Sequence, residues 1–142
     1  MMQAANVGLG IANAFGIVAQ EAAYSSGEPW LEALLAYLRG NYEHLVSFIA
    51  ERIPSLSVFP LEGTYLAWID CRALGMSDAE LKQFFLKDAK LWLDDGPMFG
   101  AGGSGFMRIN IACPRSTLTE ALTRLDKAFA LRAAQTERDT AH

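Results

Sequence analysis

Apolar residues recur at helical spacing in several long stretches of the chain and at strand spacing in the shorter stretches between them. Asn13 to Tyr24 sets Phe15, Val18, Ala19 and Ala22 on one helical face, and Ser25-Ser26-Gly27 breaks the pattern. Pro29 is suited to a first helical turn, and from there to about Arg52 a second helix is predicted. Trp30, Leu31, Leu34, Leu35, Leu38, Tyr42, Leu45, Ile49 and Ile53 make its wide apolar stripe. About 24 residues at 1.5 Å each span roughly 36 Å. A compact domain of this length is only about 37 Å across, so the helix is expected to brace or bridge something larger than itself. Pro54 ends it.

Beyond Pro54 the period changes. Leu56–Phe59 predicts a short strand, and Thr64–Asp70, apolar on both alternating faces, predicts a strand covered on both sides. Ser77-Asp78-Ala79-Glu80 reads as a capping box opening a helix with Leu81, Phe84 and Phe85, running to about Lys90. Leu91-Trp92-Leu93 and Phe106–Ala112 are further strands, separated by a glycine-rich loop from Gly96 to Gly105. Thr117–Glu120 reads as a second capping box, before a helix with Leu118, Leu122, Leu125 and Phe129 on one face. The tail from 134 to 142 is polar and expected to fray. Two helices followed by β-β-α-β-β-α predict an α+β fold, a small mixed or antiparallel sheet with helices on one face, preceded by the long helix. The expected boundaries are 1–53, 54–133 and the tail 134–142.

Composition narrows the partners. At 142 residues, with 51% hydrophobic and 20% charged residues, the chain suits one globular domain and excludes intrinsic disorder. A net charge of −4 with no basic run argues against nucleic acid and anionic membranes. Cys71 and Cys113 form no CxxC and predict free thiols in a reducing compartment, hence a cytoplasmic protein. With His44 and His142 they match no metal-ligand spacing, so no metal is expected. Met1–Gln20 is uncharged, but Gln3, Asn6 and Asn13 interrupt it and no early Lys or Arg supports a secretory signal. It also lacks the contiguous apolar run of a membrane span.

Gly100-Ala101-Gly102-Gly103-Ser104-Gly105 is a literal G-x-G-x-x-G, yet a strand follows it where a dinucleotide site needs a helix, so that reading is rejected. Ser104 lacks the setting of a hydrolase nucleophile. Asp94-Asp95, next to Gly96-Pro97, reads as a solvated turn. The informative strand is the last. Met107, Ile109 and Ile111 share one face, while Phe106, Arg108 and Asn110 share the other. A partly buried guanidinium needs an anion. Arg108 therefore meets either an external carboxylate, to which its planar fork is suited, or an internal acid such as Asp70.

Three segments carry a resemblance: Glu62–Arg72 (EGTYLAWIDCR), Leu91–Gly96 (LWLDDG) and Gly105–Arg115 (GFMRINIACPR). They resemble the C-terminal region of the pyridoxal-phosphate-dependent class I/II aminotransferases, most closely the cystathionine β-lyase-like C–S lyase branch. Glu21–Tyr24, Trp30-Leu31 and Tyr37–Asn41 resemble it too. The resemblance implies that Arg108 binds the α-carboxylate of an amino-acid substrate, with Thr64, Tyr65 and Asn110 lining the substrate side. It implies that residues 1–53 end a large domain and form an interdomain helix, with 54–133 as the small domain. It also implies pyridoxal phosphate in a full-length parent, but not covalently bound to this chain. None of Lys82, Lys87, Lys90 and Lys127 sits in the family's Ser-x-x-Lys setting. Phe15, Val18, Trp30 and Leu34 would then be open in an isolated chain, predicting self-association or a homodimer. The alternative is a standalone ligand-binding or interaction module.

Overall fold

The computed structural model describes residues 13–140, so the readings that rest on Met1–Ala12 and on His142 lie outside the described residues. The chain divides into two compact units between Tyr37 and Leu38, inside the long helix.

In the first unit, helix α1 (Ala14–Ser26) starts where Asn13 caps it, the side-chain oxygen accepting from the Gly16 N–H at 2.8 Å. Its predicted apolar face is not buried: α1 has no buried residue, and Phe15 is 87% exposed. Gly27 closes α1 by donating its N–H to the Ala23 carbonyl, and helix α2 (Glu28–Arg52) follows at once. Trp30 and Leu31, at the start of α2, are exposed as well.

The second unit is the folded domain. Its sheet has the order β1-β2-β4-β3 and is antiparallel throughout, with β1 Ser57–Val58, β2 Leu66–Asp70, β3 Asp94–Asp95 and β4 Phe106–Asn110. Ala67 and Ile69 of β2 and Met107 and Ile109 of β4 point to the same side and are buried. They join Leu45 and Ile49 of α2, Leu81 of α3 (Asp78–Gln83) and Leu118, Leu122 and Leu125 of α4 (Arg115–Thr140) in one apolar cluster. Helices thus cover one face, as expected. The expectation that β2 is covered on both sides does not hold: Leu66, Trp68 and Asp70 remain half-exposed on the other face.

Other differences have local causes. The capping box at Ser77 is present, Glu80 accepting from the Ser77 N–H at 2.8 Å. The helix it opens widens to a π turn over Phe84–Asp88, where Ala89 N–H reaches back to the Phe84 carbonyl. That extra residue per turn lets adjacent Phe84 and Phe85 both enter the core. Leu91-Trp92-Leu93 is not a strand. Lys90 adopts φ 54°, Leu91 N–H bonds to the Phe85 carbonyl, and Trp92 is left 90% exposed, so pairing begins only at Asp94. Thr117 is no cap: the Thr117 and Leu118 N–H groups both bond to the Pro114 carbonyl, which starts α4 at Arg115. Helical backbone also continues through 134–140, with Arg138 Nε donating to the Ala134 carbonyl, where fraying was expected.

One buried polar side chain ties the domain together. Asn41 of α2 has no solvent exposure. Its Nδ2 donates to the carbonyls of Ile111 (2.8 Å) and Cys113 (2.9 Å), and its Oδ1 accepts from Arg115 Nε at 2.7 Å. At the end of α2, Arg52 pairs with Asp126 of α4 at 2.7 Å.

Asn41→Ala is expected to lower unfolding stability by about 2–4 kcal/mol, because the buried Ile111 carbonyl and the part-buried Cys113 carbonyl lose their donor. Urea melts of the two proteins check this, and a change under about 0.5 kcal/mol would contradict it. A second expectation concerns Cys71, whose thiol burial pushes from its usual 9.0 up to about 12. A native thiol titration at pH 8 should therefore find Cys71 silent until the protein is denatured. Because the native thiol keeps its proton while the unfolded one loses it, stability should fall as pH rises from about 9 towards 12. Cys71→Ala should flatten that fall.

Candidate functional site

The outer face of the sheet carries the site. Strand alternation puts Phe106, Arg108 and Asn110 of β4 opposite the buried Met107 and Ile109, as the sequence pattern requires. β4 is central, between β2 and β3. Its register places Arg108 directly across from Trp68 on one side and Asp94 on the other.

Arg108 is paired, but not with Asp70. Its Nε and Nη2 both donate to Oδ2 of Asp94, at 3.1 and 2.7 Å. The pair is open to solvent: the Arg108 side chain is 24% exposed and that of Asp94 42%. Asp70 is instead bound by Arg72, whose backbone N–H, Nε and Nη2 all reach it, and this hydrogen bonding holds the Asp70 carboxyl below its usual range. Asp94 is therefore no solvated turn residue but part of β3. Its neighbour in the strand, Asp95, forms an ion pair with Lys82.

Aromatic rings floor the space beside Arg108. The Arg108 guanidinium lies 4.1 Å from the ring centre of Phe99, which meets Trp68 edge-on at 5.3 Å. Trp68 and Phe59 in turn contact Phe106 edge-on, at 6.4 and 5.6 Å. With Gly102 and Gly103 these four rings line an open hollow of about 340 Å³.

Phe99 is delivered by the glycine-rich segment, which folds as two short 3₁₀ turns, Gly96–Phe99 and Ala101–Gly103, before β4. Gly96 and Gly103 pass so closely that a Cβ on either would overlap the other's backbone. Asp78, in the first turn of α3, clamps the segment's end, accepting from Ser104 Oγ and from the Gly105 N–H, both at 2.8 Å. This is a backbone-packed turn leading into a strand, with no helix dipole to receive a phosphate.

The other expected residues do not converge on Arg108. Asn110 shares its face, yet its Oδ1 is used by the Ala112 N–H at 2.8 Å. Thr64 and Tyr65 precede β2 and lie beyond the Leu66–Asn110 end of the ladder. Thr64 adopts φ 67°, rare for a β-branched residue, and its Oγ1 accepts from the Leu66 N–H at 3.2 Å. Tyr65 is exposed, and its carbonyl accepts from Ile111 N–H. Of the residues that do meet Arg108, Asp94 was read from the sequence as a turn residue and Phe99 was not singled out. An aromatic inside a glycine-rich loop was the one available signal for Phe99. Nothing local could reveal the register that brings Asp94 across from Arg108.

His44 does not approach the site; its Nε2 lies 3.0 Å from Thr119 Oγ1 on α4. Among the described residues no group of three or more His, Cys, Asp or Glu is arranged to hold a metal ion. No helix among them is long and apolar enough to cross a membrane.

No protein-family model matches the chain. Individual proteins do. Cystathionine β-lyase PatB of Bacillus subtilis is 43% identical over 122 residues, which is 86% of this chain and 32% of that protein. Among solved structures, a PLP-bound protein of Clostridium difficile is 50% identical, with a TM-score of 0.79 over 82% of this chain and 30% of its own. Cystalysin of Treponema denticola, which contains pyridoxal 5′-phosphate, is 36% identical, with a TM-score of 0.80 over 83% of this chain and 30% of its own. The chain thus spans about a third of the length of the relatives it matches. In sequence and in fold it corresponds to the C-terminal region of the pyridoxal-phosphate-dependent aminotransferase family, on the cystathionine β-lyase-like C–S lyase branch.

Proposed function

We propose that this chain supplies the substrate-carboxylate clamp of a pyridoxal-phosphate-dependent C–S lyase or aminotransferase acting on amino acids, with Arg108 as the clamp. The observation that carries the reading is the setting of Arg108. It stands on the open face of the central strand, half-exposed, with the Nη1 end of its fork making no hydrogen bond among the described residues. A guanidinium on a rigid strand, beside an apolar floor, suits bidentate capture of a carboxylate.

None of the four lysines of this chain stands in a setting that would attach the cofactor covalently. Its attachment needs a lysine amine within the site. Lys82 in α3, Lys87 in the π turn, Lys90 after it and Lys127 in α4 are all exposed, and none lines the hollow beside Arg108. Lys82 is already paired with Asp95. The role of this chain is to bind and orient the substrate, and the bond-breaking chemistry falls to a lysine-bearing part of the parent.

In a parent polypeptide containing this segment, Arg108→Ala should lower kcat/KM by about 2–4 kcal/mol, the worth of a charge-assisted bidentate contact. Arg108→Lys should recover only part of it, since a point charge cannot reproduce the planar fork. Steady-state kinetics decide: unchanged kcat/KM in Arg108→Ala would remove the clamp and favour the reading of an interaction module.

The first unit supports a further part of this reading. Phe15, Val18 and Trp30 are exposed, while Leu34 is half-buried. A patch of this kind is covered in a working assembly, and we assign its cover to the rest of the parent or to a second copy. The chain on its own should therefore self-associate in sedimentation velocity, with the average mass rising over about a tenfold concentration range. Phe15→Ser with Trp30→Ser should shift it to the monomer. A wild-type chain that stays monomeric throughout would contradict the reading.

A further inference from the structure

We infer that Asp94 and Phe99 are positioning residues for Arg108, holding its guanidinium so that the outer edge of the fork faces an incoming monocarboxylate. The inference rests on the clamp reading of Arg108 and adds to it the groups that aim the clamp. Both Arg108 donors on the inner edge, Nε and Nη2, go to the single oxygen Oδ2 of Asp94. Asp94 is fixed in turn, because β3 pairs in register with β4 at this residue. Phe99 covers one face of the guanidinium at 4.1 Å and is itself braced by the edge of Trp68 at 5.3 Å. The loop bearing Phe99 is closed by Asp78 through Ser104 and Gly105. The arginine is thus restrained on one edge and one face.

An unrestrained arginine loses rotamer freedom when a ligand fixes it, and this opposes binding. A guanidinium already held in place has lost that freedom on folding. Asp94 has an opposing effect: its charge repels the incoming carboxylate, and at partial exposure that repulsion is of similar size. The two effects separate in a pair of variants of equal charge. Asp94→Asn removes the charge and keeps an acceptor oxygen, whereas Asp94→Ala removes both.

The test is a titration of this chain with acetate, a simple monocarboxylate, followed by the Arg108 Nε–H and Trp68 indole N–H signals in ¹⁵N–¹H NMR. The amide spectrum of each variant reports that the fold is kept. Asp94→Ala is expected to bind acetate about three- to tenfold more weakly than Asp94→Asn, the range set by immobilising one rotamer-rich side chain. Its Arg108 Nε–H signal should broaden or vanish through exchange with water. Phe99→Leu, which keeps bulk without the aromatic face, should weaken acetate binding by about two- to fivefold. Equal or tighter binding by Asp94→Ala than by Asp94→Asn overturns the role of Asp94, and unchanged binding by Phe99→Leu overturns that of Phe99. Arg108→Ala distinguishes the underlying reading. If it abolishes the Trp68 response while the Asp94 pair does not differ, the clamp stands and the positioning fails. If the Trp68 response persists without Arg108, the clamp itself is wrong.

Discussion

The buried amide of Asn41 joins the long helix to the strand that carries Arg108. Asn41 spends both Nδ2 hydrogens on carbonyls just past the end of β4 and its oxygen on Arg115 at the start of α4. Those carbonyls fall in the short connection between strand and helix, where no ladder partner exists for them. Left without a donor in the core, each would cost roughly 1–3 kcal/mol. One side chain thus satisfies the connection and ties it to the first residue of α4. Gly40 contributes by its small size, since a Cβ there would lie 3.0 Å from Arg115 Nη2. The helical spacing of Leu38, Leu45 and Ile49 buries this face of α2, and Asn41 sits within it, so apolar packing and the polar joint position the same strand.

With the strand fixed, the two faces of the sheet divide the work. The inner face buries Ala67, Ile69, Met107 and Ile109 against three helices. The outer face is bare of helices, and its aromatic residues cover one another instead. Two arginines lie over those rings, Arg72 over Phe106 at 4.8 Å and Arg108 over Phe99 at 4.1 Å, and each also has a neighbouring aspartate. A guanidinium tolerates this mixed setting because it is weakly hydrated and planar, so it can stack and pair at once. An ammonium at position 108 could satisfy only the charge.

How much of this is legible in the sequence follows from the range of each interaction. Helix α2 and the burial of Leu118, Leu122 and Leu125 came from periodicity, which local sequence encodes directly. So did the placement of Arg108 opposite Met107 and Ile109. The strand at Asp94-Asp95 was missed because the apolar run Leu91-Trp92-Leu93 looked the better strand. Only the reversal at Lys90 and the hydrogen bond from Leu91 to Phe85 displace the pairing. The choice of Asp94 over Asp70 as the neighbour of Arg108 is likewise a matter of register. Asp70 lies across from Phe106, one same-face position away, and is held by Arg72 from its own chain segment. Composition cannot distinguish the two acids, and the strand pairing decides between them.

The proposed clamp separates binding from chemistry. The groups around Arg108 come from β2, β3, β4 and the turns between β3 and β4, all within the second unit, and they close on one another through local hydrogen bonds and ring contacts. The lysines, by contrast, lie on α3, the π turn and the residue that follows it, and α4; all four are exposed and none lines the aromatic hollow. A carboxylate clamp can be rigid without its chemistry because it works by fixed geometry and charge. A lysine that must lose its proton and react needs a surrounding that shifts its ionisation. The proposed division places orientation on this small sheet and proton chemistry elsewhere in a parent, because a half-exposed sheet face suffices for the first and cannot supply the second.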